Sequence, residues 1–220
     1  QRRQDGDPVA YITGRRGFWD MNLQVGEGVL IPRPDTETLV ATALDLIADD
    51  REPSILDLGT GSGCIAIAIA AAFPRAEVDA VDISDDALDV ARINIARHHL
   101  ESRVHAVRSD FFAGLEGRQY ELIVSNPPYV DQADMDALPD EYRHEPELGL
   151  AAGDDGLDSV HVILHDASRF LGDGGILVCE VGNSQAALER AYPDVAFTWL
   201  EFEHGGSGVF LLTKDDLKGL

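Results

Sequence analysis

Ile55-Leu56-Asp57-Leu58-Gly59-Thr60-Gly61-Ser62-Gly63, running on into the apolar stretch 64–73, decides how this chain is read. A short apolar run meets three glycines in five positions, and a helix-length series of Ile and Ala follows. Strand, glycine turn and helix in that order open a βαβ unit. The glycines let a ligand approach the main chain, and the helix amino terminus offers free N–H groups. Such a turn alone is a weak signal, because dinucleotide sites use one too. A dinucleotide would set its pyrophosphate against the helix end. Here the acidic Asp57 precedes the glycines, where it can take an ammonium group directly or through water.

The alternation repeats downstream. Residues 78–82 read as the second strand, and Ser84 caps a helix carrying Ala87, Leu88, Ala91, Ile95 and Leu100. Residues 104–107 and 122–125 are the third and fourth strands, and 130–156 form a long polar loop. A helix at 157–170, a strand at 176–181 and a helix at 184–191 follow. Strands 196–202 and 208–212 lie too close for a helix between them, so they pair as an antiparallel hairpin. The expectation is an α/β fold: a seven-stranded, mostly parallel sheet with helices on both faces and an antiparallel C-terminal hairpin.

Upstream, residues 1–7 are polar linker, and 8–34 hold short apolar runs split by glycine, which predicts a β-hairpin appendage. Pro32-Arg33-Pro34 stops it. Asp35 or Thr36 then caps a helix through about residue 50, with Leu39, Val40, Ala43, Leu44 and Ile47 on one face. Residues 1–35 thus read as linker and appendage, and 36–220 as the main domain. The first residue is Gln rather than Met, so the opening is not read as a true start.

Of 220 residues, 45% are hydrophobic, enough for one sizeable core. No stretch is long and apolar enough to span a membrane. Cys64 and Cys179 both sit in apolar runs and read as buried free thiols, which fits a reducing, cytoplasmic setting. The seven His residues show no pair at metal-ligand spacing, so no metal is expected. With 17 basic against 40 acidic residues the net charge is -23, which repels phosphate backbones and favours a basic protein partner. A solvated surface suited to high salt reads the same way.

Three further strand ends carry polar groups. Asp82 ends the second strand, where a carboxylate can take both ribose hydroxyls. Asp110-Phe111 follows the third, able to accept from an adenine amine and to cover its ring. Asn126-Pro127-Pro128-Tyr129 follows the fourth. Two successive prolines can continue neither ladder nor helix, so the backbone turns out at the sheet edge where ligands sit. There an NH2 group can donate to the Asn126 side-chain oxygen and to a Pro127 carbonyl.

This ordered set resembles S-adenosylmethionine-dependent methyltransferases acting on amide or exocyclic amine nitrogens. The chain resembles the bacterial protein-glutamine N5-methyltransferases over about residues 7–217. Segments 8–14, 18–19 and 30–37 are similar to the branch acting on peptide chain release factors. Segments 141–150, 180–184 and 197–202 are similar to the branch acting on ribosomal protein L3. The family's usual amino-terminal helical domain is not found in the chain.

The resemblance implies a Rossmann-like fold, S-adenosylmethionine as cofactor with S-adenosylhomocysteine as product, and a basic translation protein as substrate. It implies that Asp57, Gly59, Thr60, Gly61, Ser62 and Gly63 surround the methionine part, that Asp82 holds the ribose, and that Asp110 and Phe111 meet adenine. It further implies that Asn126, Pro127, Pro128 and Tyr129 hold the glutamine amide, with Arg33 and Glu145 in motifs on the substrate side. Methyl transfer from a sulfonium needs positioning above all, and no Cys or His nucleophile. One rival is a nucleic-acid adenine N6-methyltransferase, which would need a basic groove or target-reading domain. The other is a cofactor-binding scaffold without turnover, against which intact Asn126 and Asp82 argue.

Overall fold

The computed structural model describes residues 2–4, 6–47, 52–201 and 207–220. The appendage opens with a one-turn helix, α1 (Val9–Thr13), which follows Pro8 and ends at Gly14. The run 9–12 is therefore helical rather than extended. The expected hairpin is present as β1 (Arg15–Phe18) and β2 (Met21–Gln24), paired antiparallel. Its turn falls at Trp19-Asp20, within the run 18–25, and not at a glycine. Residues 26–31 form a turn rather than a strand.

Asp35 and Thr36 lie in a 3-10 turn, Pro34–Thr36, ahead of α2 (Glu37–Leu46), and neither side chain caps a helix. Ile47 is already extended, and the expected continuation over 48–50 lies outside the described residues.

The main sheet then builds in chain order. β3 (Ser54–Leu58), α3 (Cys64–Ala72), β4 (Glu77–Asp82), α4 (Asp85–Arg97), β5 (Val104–Arg108) and β6 (Tyr120–Ser125) follow the predicted alternation, with α4 ending at Arg97 and leaving Leu100 of the expected helix beyond it. Ser84 caps α4 as expected, accepting from the Ala87 N–H at 3.2 Å. The polar stretch 130–156 is more ordered than a loop. It holds α5 (Gln132–Ala137) and 3-10 turns at Asp140–His144 and Glu147–Gly149, and Val130 and Ala151 form a parallel bridge. α6 (Asp158–Phe170), β7 (Leu171–Glu180) and α7 (Gln185–Ala191) follow. The C-terminal pair is β8 (Thr198–Trp199) and β9 (Val209–Thr213), shorter than expected at β8 because this edge strand pairs on one side only. Residue 202, the end of the expected strand, lies outside the described residues.

Seven strands form one sheet in the order β5-β4-β3-β6-β7-β9-β8, with β9 antiparallel to both neighbours and the remaining pairs parallel. Alternate residues of the central strands serve two cores, as a strand covered on both faces requires. Ile55, Leu122 and Val124 pack with α2, α3 and α4, and Leu56, Leu58 and Ile123 pack with α6. α3 is buried all round, from Cys64 to Ala70, which explains its lack of any polar face. Phe18 and Leu23 of the hairpin enter the first core, so the appendage is packed into the sheet domain.

The strap 130–156 is tied down by one buried carboxylate. Glu145 Oε1 accepts from Arg33 Nη2 at 2.6 Å, and Oε2 accepts from the Ile31 N–H at 2.9 Å. Arg33 also stacks 5.0 Å from the Tyr142 ring centre. Glu145→Ala would strand a guanidinium and a main-chain donor. The expected loss is about 3 kcal/mol, the low end for breaking a buried pair because Arg33 keeps some contact with water. Denaturant unfolding measures this, and limited proteolysis should cut the strap faster in the variant.

Candidate active site

Parallel strands put their carboxyl ends at one edge, and the polar groups following β3, β4, β5 and β6 meet there. They line a cleft of about 240 Å³. Its floor is Gly59, Gly61, Asp82, Ser109, Asp110, Phe111, Ser125, Asn126, Pro127 and Pro128. Two lips close over it: Gly28, Val29 and Leu30 from the appendage, and Pro146, Leu148 and Gly149 from the strap. Leu30, Pro146, Leu148 and Gly149 fall in the segments 30–37 and 141–150 expected on the substrate side, whereas Gly28 and Val29 were not singled out in the sequence.

The glycine turn is held from below. Gly59 and Thr60 donate their N–H groups to the Val81 carbonyl, both at 2.9 Å. Asp57 is fully buried beneath the turn, where Oδ2 accepts from Thr60 Oγ1 at 2.6 Å and from the Ala66 N–H at 3.1 Å. Its Oδ1 has no hydrogen-bond partner among the described residues. Burial raises the carboxyl from 3.8 to about 7, against the opposing pull of those two donors. Asp57, Thr60, Ser62 and Gly63 therefore lie behind the cleft wall, while Gly59 and Gly61 form it. Both of these glycines have positive φ, 71° and 54°, and a Cβ on either would project into open space.

Asp82 stands on the cleft wall. Oδ2 accepts from the Gly61 N–H and Oδ1 from the Ser84 N–H, each at 2.9 Å. Burial raises its carboxyl, and these main-chain donors oppose the shift. The Ile83 N–H adds to these donors, and the Asp82 side chain still borders the cleft. Phe111 is held at φ 45°, which sets it in the cleft beside Asp110.

Asn126 lines the cleft and donates from Nδ2 to Thr36 Oγ1 at 2.8 Å, so its Oδ1 remains as an acceptor. Tyr129 does not line the cleft. Its hydroxyl donates to Glu180 Oε1 at 3.1 Å, and its carbonyl accepts from Ser184 Oγ at 2.8 Å. Gly182 sits so close that a Cβ would meet the Tyr129 ring at 2.6 Å. Tyr129 thus braces the Asn-Pro-Pro turn from behind. Arg33 and Glu145 also lie off the cleft floor, as the clamp between the two lips.

Asn94 was missed as well. It is fully buried, donates to the Ser62 and Gln24 carbonyls at 2.9 Å each, and accepts from the Gln24 N–H at 2.7 Å. A lone Asn on the apolar face of α4 was the available signal. Burial pushes the Cys64 thiol up to about 12 and raises that of Cys179, so neither is an activated nucleophile. Among the described residues no group of three or more His, Cys, Asp or Glu is placed to hold a metal, and no helix is long and apolar enough to cross a membrane.

Sheet order, glycine turn and strand-end acceptors define a Rossmann-like methyltransferase. Residues 35–139 match the family model described as "Methyltransferase small domain". A methyltransferase from Pyrococcus furiosus superposes with a TM-score of 0.67 at 16% identity, over 97% of this chain and 99% of that one. The hMettl16 catalytic domain, crystallised with a 3'UTR hairpin, gives 0.68 at 21% identity, over 87% and 74%. The ribosomal protein uL3 glutamine methyltransferase of Francisella tularensis is 48% identical over 212 residues, covering 96% of this chain and 68% of that protein. Its namesake from Neisseria gonorrhoeae is 47% identical over 214 residues, covering 96% and 71%. The chain belongs to the ribosomal protein uL3 glutamine methyltransferase family.

The buried Asp57 has a measurable signature. Its folded-state pKa, about 7, lies above the unfolded value of 3.8, so the native state holds this proton where the unfolded chain releases it. The stabilisation present below about pH 4 is therefore lost as pH rises through about 7. Asp57→Asn keeps the shape without the titration. The variant's unfolding midpoint should rise relative to wild type between about pH 4 and about pH 8. A constant difference across that range would contradict the burial described.

Proposed function

We propose that the protein methylates the side-chain amide nitrogen (N5) of a glutamine in ribosomal protein uL3, using S-adenosylmethionine. The observation carrying this reading is that Asn126, with Oδ1 free, shares one cleft with Asp82 and Phe111. The residues fit the cofactor. Gly59 and Gly61 leave the open floor that a Cβ would fill, and Asp82 stands on the cleft wall at the end of β4, where a carboxylate can meet ribose hydroxyls. Asp110 and Phe111 suit an adenine amine and ring. When bound, the cofactor supplies an electrophilic methyl group on a sulfonium.

The chain's own residues do the rest. Asn126 Oδ1 and the Pro127 carbonyl accept the two amide hydrogens and hold the nitrogen in line with the methyl group. These two neutral acceptors would stabilise the positive charge that a nitrogen gains on taking a methyl group from a sulfonium, whose sulfur would leave with the bonding pair. The extra proton leaves to water, so no side-chain base is required. Asp57 acts beneath the turn, as its support. Leu30, Pro146 and Leu148 form an apolar throat that suits the methylenes of a glutamine side chain.

The named relatives cover 96% of the chain, including most of both halves, which favours uL3 over a release factor. The net charge of -23 favours a basic protein over nucleic acid. Mass spectrometry of purified uL3 and purified release factor, each incubated with enzyme and cofactor, is the direct test. A methyl group is expected on one uL3 glutamine. Its appearance only on the release factor would reassign the substrate, and its absence from both would end this reading.

Two variants test the site. Asp82→Ala should weaken cofactor binding by roughly 1–3 kcal/mol in calorimetry, as for a charged acceptor removed from its donors. Asn126→Ala should cut kcat by roughly 10²-fold, the scale for one preorganised polar group at a reacting centre. Its cofactor affinity should change little. Turnover at the wild-type rate in Asn126→Ala would remove the amide grip from the mechanism.

A further inference from the structure

The two lips meet above the cleft. A Cβ built on Gly149 of the strap would lie 3.5 Å from Leu30 Cβ of the appendage, so the strap backbone runs against the Leu30 side chain. Each lip is also tied to its own side of the mouth. The Tyr11 hydroxyl donates to the Val29 carbonyl at 2.6 Å. Opposite, the Val130 N–H donates to the Leu150 carbonyl at 2.9 Å, and the Ala152 N–H donates to the Val130 carbonyl at 3.0 Å. The strap lip is thus anchored at one end on the residue that follows Tyr129. At its other end Glu145 joins it to the appendage. The Glu145 carboxyl, 7% exposed, takes the Ile31 N–H and the Arg33 guanidinium. Arg33 Nη1 donates back to the Ile31 carbonyl at 3.0 Å, so both main-chain groups of Ile31 are engaged.

We propose that Arg33 and Glu145 are positioning residues for the acceptor side chain: they hold Leu30 against Pro146, Leu148 and Gly149 at the spacing that grips the methylenes of an incoming glutamine. This rests on the glutamine reading above. Neither residue lines the cleft, so both act through the lips. Ile31 adjoins Leu30 and Glu145 adjoins Pro146, so any shift at the pair passes straight into the throat. An apolar throat holds the methylenes alike before and during transfer, because their charge does not change. Loosening it therefore raises KM and leaves kcat in place. The cofactor side is carried separately, since Gly61, Asp82 and Asp110 follow strands of their own.

Arg33→Lys leaves Glu145 a cation, which keeps the fold, but it loses the planar fork and the stack on Tyr142. KM for purified uL3 should rise roughly tenfold, the low end of what a hydrogen bond to a charged group contributes. The kcat at saturating uL3 and the cofactor dissociation constant should match wild type. Glu145→Gln should act in the same direction, and the two substitutions together should do little more, because both break one link. A covalent substitute for the pair is the sharper test. The 3.5 Å separation lies within the span of a disulfide, so Leu30→Cys with Gly149→Cys can join the lips directly. Cys64 and Cys179 are buried, away from this pair. In the Arg33→Lys background, oxidising the new pair should remove most of the rise in KM, and a reductant should bring it back. With Arg33 intact, oxidation should move KM far less. An unchanged KM in Arg33→Lys, a parallel loss of kcat and cofactor binding, or a disulfide that leaves KM high overturns the proposal while the glutamine reading stands. Failure of the wild-type protein to methylate uL3 would instead overturn the reading itself, and this proposal with it.

Discussion

β3 is hydrogen-bonded on both sides, and its register against β4 and β6 is the constraint on which the cleft depends. Leu58 pairs with Val81 on one side and Ser125 on the other, while Asp82 pairs with Arg108. Four strands therefore end within a residue of one another, and Gly59, Asp82, Ser109 and Asn126 emerge at one level. Because side chains alternate, a slip of one residue would carry Asp57 from beneath α3 to the opposite face and turn Leu58 into the first core. The Ser125 hydroxyl, buried and bonded to the Leu58 carbonyl at 2.8 Å, locks the last step of that register. The proline pair can then leave the sheet only at the cleft.

This dependence explains which parts were legible in the sequence. Strand, glycine turn and buried helix over 54–72 follow from local chemistry, as do the Ser84 cap and the break at Pro127. The strand-end acceptors could be read because each is anchored by its own strand. The appendage was half legible. Its glycines suggested where the chain turns, but the hairpin turn fell at Trp19-Asp20, a position settled by Phe18 and Leu23 entering the core. The strap failed for a related reason: its order comes from contacts with residues far away in the chain.

The polar ties at the site share this property. Asn94 meets Gln24 across 70 residues, Glu145 meets Arg33 across 112, and Asn126 meets Thr36 across 90. No periodicity or local spacing encodes such a pair. What the sequence does show is a polar residue where an apolar one would serve, as at Asn94 on the apolar face of α4. Asp57, assigned to the cofactor on its position before the glycines, illustrates the converse. Its place in the motif was legible, but its direction was not, because the side chain turns down to Thr60 and Ala66.

The distribution of charge around the cleft follows from the proposed reaction. A carboxylate beside the reacting atoms would stabilise the positive charge at the sulfonium before transfer, and so favour the starting state as much as the transition state. Asp82 sits at the wall suited to ribose, and Asp57 and Glu180 are buried behind the turns they support. The groups facing the acceptor nitrogen are a neutral amide oxygen and a neutral carbonyl. These dipoles gain strength as charge moves onto that nitrogen, and they hold it in place without reorganising. The carboxyl groups are thereby set to bind and brace, and the neutral acceptors are left to act at the point where the bond changes. A carboxylate in place of Asn126 would accept the same hydrogens, but would put its charge where the starting state benefits most. The amide at the end of β6 is thus a chemical requirement of the proposed transfer, and Thr36 holds its NH2 end at 2.8 Å.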